Sequence, residues 1–215
     1  MLRAGFIRKG RSRGQIRTPL QWFVALSSQR LPLETALLSI REFVPEDARD
    51  IFRLSTEEGY RTWLPSQVYR DESQARSVLE FLISKYSDPG NPRLGPYVLA
   101  IEHRMDRTLI GHVGFSPFDD DVEIGFAIGE RYQGRGLATE AVVAASQWAL
   151  ETFALERILG IASAVNIASK RTLIRARFAH EKDCLMPFQG TEQAVTMYAL
   201  DRDRSSSQGR VGSTS

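Results

Sequence analysis

The residues with the clearest chemistry lie together in 122–139, VEIGFAIGERYQGRGLAT. An extended apolar run stops at Gly129, and Gln133, Gly134, Arg135, Gly136, Leu137 and Ala138 follow as a Gly-rich turn. A long amphipathic segment then runs from Leu137 to about Phe153. A strand feeding a Gly-rich turn that opens a helix aims backbone N–H groups at phosphate. Glycine at 134 and 136 lets the chain turn sharply and approach a pyrophosphate, and the dipole of the following helix favours its charge.

Three ligand motifs compete for this turn. A P-loop requires G-x-x-x-x-G-K-[ST]; Gly129 to Gly134 has the spacing, but Arg135-Gly136 stand where Lys and Ser/Thr are needed. A Rossmann fingerprint requires a third small residue, and Gly134-x-Gly136-x-x-Thr139 fails there, with no early βαβ repeat around it. The pattern that matches is Q/R-x-x-G-x-G/A, as Gln133-x-x-Gly136-x-Ala138, at a strand-to-helix junction.

Further segments stand in a fixed order with this one: LLSIREFVPEDA at 37–48, LIGHVGF at 109–115, EIGFAIGERYQGRGLATEA at 123–141, and Asn166-x-x-Ser169 ahead of Phe178. On these segments the chain resembles the GNAT acetyltransferases, and within them the RimJ/RimL-like branch, from about Leu33 to Leu200. The resemblance implies an α/β (mixed α+β) fold with a central, mostly antiparallel twisted sheet, splayed at the cofactor site and flanked by helices. It implies acetyl-CoA as donor and an amine as acceptor, either a protein N-terminus or a small molecule. An acyl-CoA-binding sensor or interaction domain without efficient turnover is the alternative.

The resemblance also assigns residues. The phosphate grip falls on Gln133, Gly134, Arg135, Gly136, Leu137, Ala138 and Thr139, mainly through backbone N–H groups. The strand end Phe126-Ala127-Ile128 corresponds to the edge that pairs with the pantetheine arm, and Asn166 to the second cofactor wall. Arg175 corresponds to a position that meets a CoA phosphate, with a solvated helix face as its ordinary reading. Glu123 is the candidate general base; by alternation it shares a face with Gly125 and Ala127. Its ordinary reading is an exposed strand residue. Ser169 is the candidate acid for the departing thiolate, because Leu173 stands where many relatives have Tyr. Asn166 equally suits a helix N-cap. Arg177 stands where the family has Gly; a positive φ there is costly for Arg, so the local turn is expected to differ.

The elements that position these residues follow from periodicity. Leu38 to Phe43, Tyr97 to Glu102, Thr108 to Phe115, the run ending at Ile128, Arg157 to Ser163, Phe178 to Asp183 and Ala194 to Leu200 read as strands. Helices are expected from Pro45 with Ala48, Ile51, Phe52 and Ser55 on one face, from Asp71 to Tyr86, from Leu137, and from Asn166 to Ala176. Tyr60 and Trp63, beside Pro65, fit either an acceptor groove or the core. Gly111 and Gly114 predict a bulge or a close backbone approach. Pro187 to Glu192 reads as a loop, and His103 and His112 as polar-face residues.

Composition bounds the rest. With 215 residues, 42% hydrophobic and 25% charged, the chain suits one globular domain, expected over 31–203. Residues 1–30 hold seven basic and no acidic side chains, and are expected to form a flexible extension; 204–215, Ser/Gly-rich, is expected to be a disordered tail. The other 185 residues hold 21 basic against 26 acidic side chains. That acidic body argues against nucleic acid and suits a cationic acceptor. A single cysteine, Cys184, fits a reducing, cytoplasmic setting and provides no metal cluster. No apolar run approaches the ~20 residues of a membrane span. A monomer or homodimer is expected.

Overall fold

The computed structural model describes residues 30–202; the expectations for the basic leader and the Ser/Gly-rich tail lie outside the described residues. Thirteen elements run in the order β1 (Leu33–Glu34), β2 (Leu38–Glu42), α1 (Ala48–Ser55), α2 (Glu58–Trp63), α3 (Glu72–Ser84), β3 (Tyr97–His103), β4 (Thr108–Phe118), β5 (Asp121–Ile128), α4 (Leu137–Thr152), β6 (Arg157–Ser163), α5 (Ile167–Arg175), β7 (Ala179–Phe188) and β8 (Thr191–Asp201). They build one eight-stranded sheet in the order β1-β2-β3-β4-β5-β6-β8-β7, antiparallel except where β5 meets β6.

The two sheet faces are filled from different stretches of sequence. Val122, Ile124 and Ile128 of β5 pack with Leu137, Ala141, Val142, Ala145 and Trp148 of α4, and with Leu173 of α5. Ala100 and Leu109 on the opposite face pack under Ile51, Leu54, Tyr60, Ala75 and Leu79 of α1–α3. The apolar spacing of three and four that marks α4 and α3 in the sequence is therefore the spacing of their buried stripes. The end of α3 is tied to the sheet by Tyr86, whose hydroxyl donates to Val98 O at 2.6 Å and accepts the Phe43 N–H at 2.9 Å.

Gly111 and Gly114 do both things expected of them. The β3–β4 register slips between Ile101 and Glu102, leaving Ile110 as an extra residue beside Gly111. A Cβ on Gly111 would lie 2.0 Å from the Ala127 carbonyl oxygen, and one on Gly114 2.8 Å from Val98 Cγ2. No side chain fits at either approach.

Three expectations need correction. Residues 187–192 are not a loop: β7 and β8 continue to Phe188 and Thr191, joined by Gln189-Gly190, both at positive φ. That is a two-residue turn whose twist suits a hairpin. His112 is not on a polar face; β4 is central and covered on both sides, so His112 is buried. Arg177 does not avoid the left-handed conformation. It adopts φ 69° itself, and the N–H groups of Arg177 and Phe178 bond to Ile174 O and Leu173 O, closing α5 in a Schellman-type stop.

Candidate functional site

β5 and β6 pair at only two positions, Glu123 with Leu159 and Ile124 with Gly160, and then part. The wedge between them opens into a cleft of about 460 Å³, a size suited to a small-molecule ligand. Gly129 N–H bonds to Ile110 O of β4 at 2.7 Å. By strand alternation the peptide groups of Ala127 also face β4, and those of Phe126 and Ile128 face the wedge. Ile128 O is taken by Gln133 Nε2 at 2.8 Å, and Phe126 has no strand partner on that side. An extended ligand carrying amide groups can add there as a strand would.

The far end of the wedge is closed by the turn into α4. Gly134 and Gly136 have φ of 74° and 82°, and a Cβ on either would meet no protein atom within 4 Å. Backbone conformation requires these glycines, and the space their missing side chains leave is open to a ligand. Gly136 is the N-cap of the 16-residue α4, yet no side chain caps it. The short α1 and α2 also start without a side-chain cap, whereas the longer α3 and α5 have one: Asp71 accepts Gln74 N–H at the start of α3, and Asn166 accepts Ser169 N–H at the start of α5. The first N–H groups of α4, on Leu137, Ala138 and Thr139, thus lack the partner that helix starts ordinarily acquire. With the helix dipole behind them, they suit a phosphate or pyrophosphate.

This turn is rigidly held. Tyr132, buried, donates its hydroxyl to Asp106 at 2.9 Å, and Arg135 stacks over the Tyr132 ring at 5.6 Å. The Glu130 N–H bonds to Glu57 Oε2 at 2.7 Å, and the Glu130 side chain accepts Gly59 N–H at 3.0 Å. The ligand-facing backbone is therefore set before any ligand arrives, which lowers the ordering cost of binding.

The residues singled out by sequence converge here. Phe126, Ala127, Ile128, Gln133, Gly134, Gly136, Leu137, Ala138, Thr139, Asn166, Arg175, Glu123 and Ser169 all line the cleft. Arg135 does not; its side chain turns to Tyr132, and only its backbone is left for the assigned role. Leu137 offers backbone alone, since its side chain is buried in the core. Asn166 does both things its type allows: its Oδ1 caps α5 while the residue lines the cleft. Tyr60 and Trp63 divide between the two readings, Tyr60 buried and Trp63 37% exposed, and both line the cleft.

Glu123 lies at the base of the wedge. The β4–β5 ladder runs without a register shift, so Glu123, Gly125 and Ala127 share a face, the one towards α1–α3. Burial raises the Glu123 carboxyl above its ordinary value, and it has no hydrogen-bond or ion-pair partner among the described residues. A carboxylate shifted this way is a better base. Behind the cleft, His112 Nδ1 lies 3.3 Å from the Tyr60 hydroxyl, and burial pushes the imidazole down to about 4, so it is neutral.

Beyond Tyr60 and Trp63, sequence reasoning missed the opposite wall. Glu57, Leu64, Ile161, Phe188 and Gln189 also line the cleft, and Ser66 Oγ donates to Gln189 Oε1 at 3.3 Å across its mouth. The Pro187–Gly190 stretch carried a turn signal, but nothing local places it over a cleft formed 60 residues earlier.

Comparison with known proteins bears on the family and the fold. The family profile described as an acetyltransferase (GNAT) domain matches residues 38–179. The uncharacterized N-acetyltransferase YoaA of Bacillus subtilis (strain 168) is 26% identical over 177 residues, covering 80% of this chain and 97% of that protein. Among solved structures, RimL, a ribosomal alpha-N-protein acetyltransferase in complex with coenzyme A, superposes with a TM-score of 0.68 at 17% identity, over 81% of this chain and 99% of that one. A GNAT-family acetyltransferase from Bacillus anthracis gives a TM-score of 0.66 at 19% identity, over 80% and 98%. Among the described residues there is no helix long and apolar enough to cross a membrane and no cluster of metal-ligating side chains.

Proposed function

The chain belongs to the GNAT acetyltransferase family, and we propose that it transfers the acetyl group of acetyl-CoA to a primary amine, on a protein N-terminus or a small molecule. The single observation that carries the donor half is the uncapped start of α4 beside the wedge. There the backbone of Gln133 to Thr139 holds the pyrophosphate, the peptide groups of Phe126 and the Ile128 N–H, on the edge that runs from Phe126 to Ile128, take the pantetheine amides, and Asn166 and Arg175 complete the wall. The thioester then lies where β5 and β6 part, above Glu123.

In this reading Glu123 removes a proton from the acceptor ammonium, directly or through one water. The amine nitrogen bonds to the thioester carbonyl carbon, the C–S bond breaks, and the sulfur leaves with the electron pair. Ser169 relays to the thiolate, as the thiol's hydrogen, the second proton that the nitrogen loses on becoming the amide. The nitrogen keeps one hydrogen as the amide, and one proton in net passes to solvent. Positioning of the two reactants contributes much of the rate. The catalytic unit is residues 31–203, in a cytoplasmic setting that its lone cysteine suits.

The test is a panel of amines and N-terminal peptides incubated with acetyl-CoA, reading thiol release and the mass of the acceptor. Acceptor-dependent thiol release with a mass gain of one acetyl group is expected. Thiol release no faster than hydrolysis, with acetyl-CoA still bound, would make the protein a binding domain without turnover.

A further inference from the structure

The two faces of the wedge differ in charge. The lining guanidiniums, Arg171 and Arg175, both sit on α5, which packs with α4 on the cofactor's face of the sheet. The other face is walled by Trp63 and Leu64 at the end of α2, by Phe188 and Gln189 at the hairpin tip, and by Ile161, with Glu123 at its base. The Ser66–Gln189 hydrogen bond fixes the hairpin tip against the turn that follows α2, so these residues form one groove. Among the described residues this groove is lined by no Lys, Arg or His; Arg61 on α2 lies outside it. The cleft's remaining carboxylates, on Glu57 and Glu130, have the same sign as Glu123.

Resting on the transferase reading, we infer that the acceptor is an amine carried on an apolar or aromatic body with no carboxylate beside the amine. The amine must reach Glu123 for its proton to be removed. A carboxylate on the same carbon would then lie a few ångströms from Glu123, in a half-buried place with no cation to meet it. Like-charge juxtaposition of this kind is a strong means of rejecting a ligand. The apolar walls supply the attraction: Trp63 and Phe188 present ring surface, and Leu64 and Ile161 aliphatic surface, to whatever the amine is attached to. Gly125, on the same strand face as Glu123, has open space above it and leaves room for that body. A peptide N-terminus and a free arylalkylamine share this chemistry, because the α-carbon of each bears an amine and no free carboxylate.

The experiment compares tryptamine, tryptophan, ethylamine and tryptophanamide as acceptors for the full chain, each as kcat/KM from thiol release. Tryptamine and tryptophan differ by the carboxylate alone. The amine of tryptamine is the more basic, so amine ionisation works against the expected order. Tryptamine should exceed tryptophan, and also ethylamine, by at least about tenfold. Tryptophan used as well as tryptamine would overturn the exclusion of carboxylates while leaving acetyl transfer to amines intact. Ethylamine used as well as tryptamine would overturn the apolar groove. Tryptophanamide ahead of tryptamine by about tenfold assigns the groove to peptide N-termini, and parity assigns it to free amines; both outcomes keep the shared chemistry. No turnover of any of the four while other amines or N-terminal peptides are acetylated overturns this acceptor; no turnover of any amine or peptide, with acetyl-CoA bound, overturns the transferase reading itself.

Discussion

Glu57 and Glu130 each hold the other's neighbourhood by the backbone. Glu57 Oε2 accepts the Glu130 N–H at 2.7 Å, and Glu130 Oε1 accepts the N–H of Gly59, two residues from Glu57, at 3.0 Å. Two side chains of like charge thereby join α2, which walls the proposed acceptor groove, to the turn proposed to present N–H groups to the pyrophosphate.

Glu57→Ala should loosen that joint. Hydrogen bonds to charged groups contribute ~1.5–3 kcal/mol, and the partial exposure of this pair brings the expected loss of stability to about 1 kcal/mol. KM should rise for acetyl-CoA and for the amine together, because one bond set positions both. Steady-state kinetics in both substrates check this, and an effect confined to one substrate would separate the two walls.

Glu123→Gln should lower kcat by about a hundredfold with acetyl-CoA affinity unchanged, the lower end of the range for a general base. Burial raises the carboxyl of Glu123. The acid limb of kcat in the native enzyme should therefore fall at a pH above the ordinary carboxylate range, since the base works only when ionised. The Gln variant should lose that limb. A limb that persists unchanged returns Glu123 to a spectator.

Gly136→Ala places a Cβ where φ is 82° and where no protein atom stands in the way. The left-handed conformation costs an Ala ~1–2 kcal/mol, and the methyl enters the cradle. Acetyl-CoA affinity, measured by calorimetry, should fall at least about tenfold. Gly134→Ala, at φ 74°, should act in the same direction.

His112 makes stability depend on pH. Its imidazole is pushed from 6.5 to about 4 by burial. Between those values the unfolded chain binds a proton that the folded chain refuses, so stability rises with pH. It is fully present above pH 6.5 and lost progressively as pH falls towards 4, by an amount on the order of 3 kcal/mol. Urea midpoints across this window check it, and His112→Gln should flatten the slope.

Arg177→Gly should stabilise the fold. Arg177 holds φ 69° at the end of α5, and its side chain has no partner among the described residues. Relief of the left-handed strain exceeds the extra backbone entropy of Gly, for a net gain of about 1 kcal/mol. That corresponds to a Tm rise of ~2–4 °C for a domain of this size.

The turn into α4 and the β5 face were legible in the sequence because their residues are local. Gln133, Gly136 and Ala138 mark one turn, and alternation along β5 placed Glu123, Gly125 and Ala127 on one face. On the opposite wall only Tyr60 and Trp63 were legible, as groove or core; Ile161 and Phe188 join them only through the order of the strands. The tip of the β7–β8 hairpin was hidden by Pro187 and Gly190, which carry loop signals yet here flank an edge strand and fill a tight turn. His112 sits in an alternating-looking LIGHVGF, and alternation implies a wet face only where one exists; β4 has none. Arg177 shows that a conformation favoured by Gly can be kept by another residue when Leu173 and Ile174 supply the helix-closing carbonyls.

The early parting of β5 from β6 also has a cost in handling. An unpaired strand edge invites extended chains, and this fold has one in the middle of its sheet, at Phe126, where no Lys, Pro or bulge guards it. In the proposed mode of binding, the pantetheine arm covers that edge. Protein stripped of its donor should accordingly self-associate more readily on concentration or heating than protein saturated with CoA, and purification with CoA present should keep it dispersed.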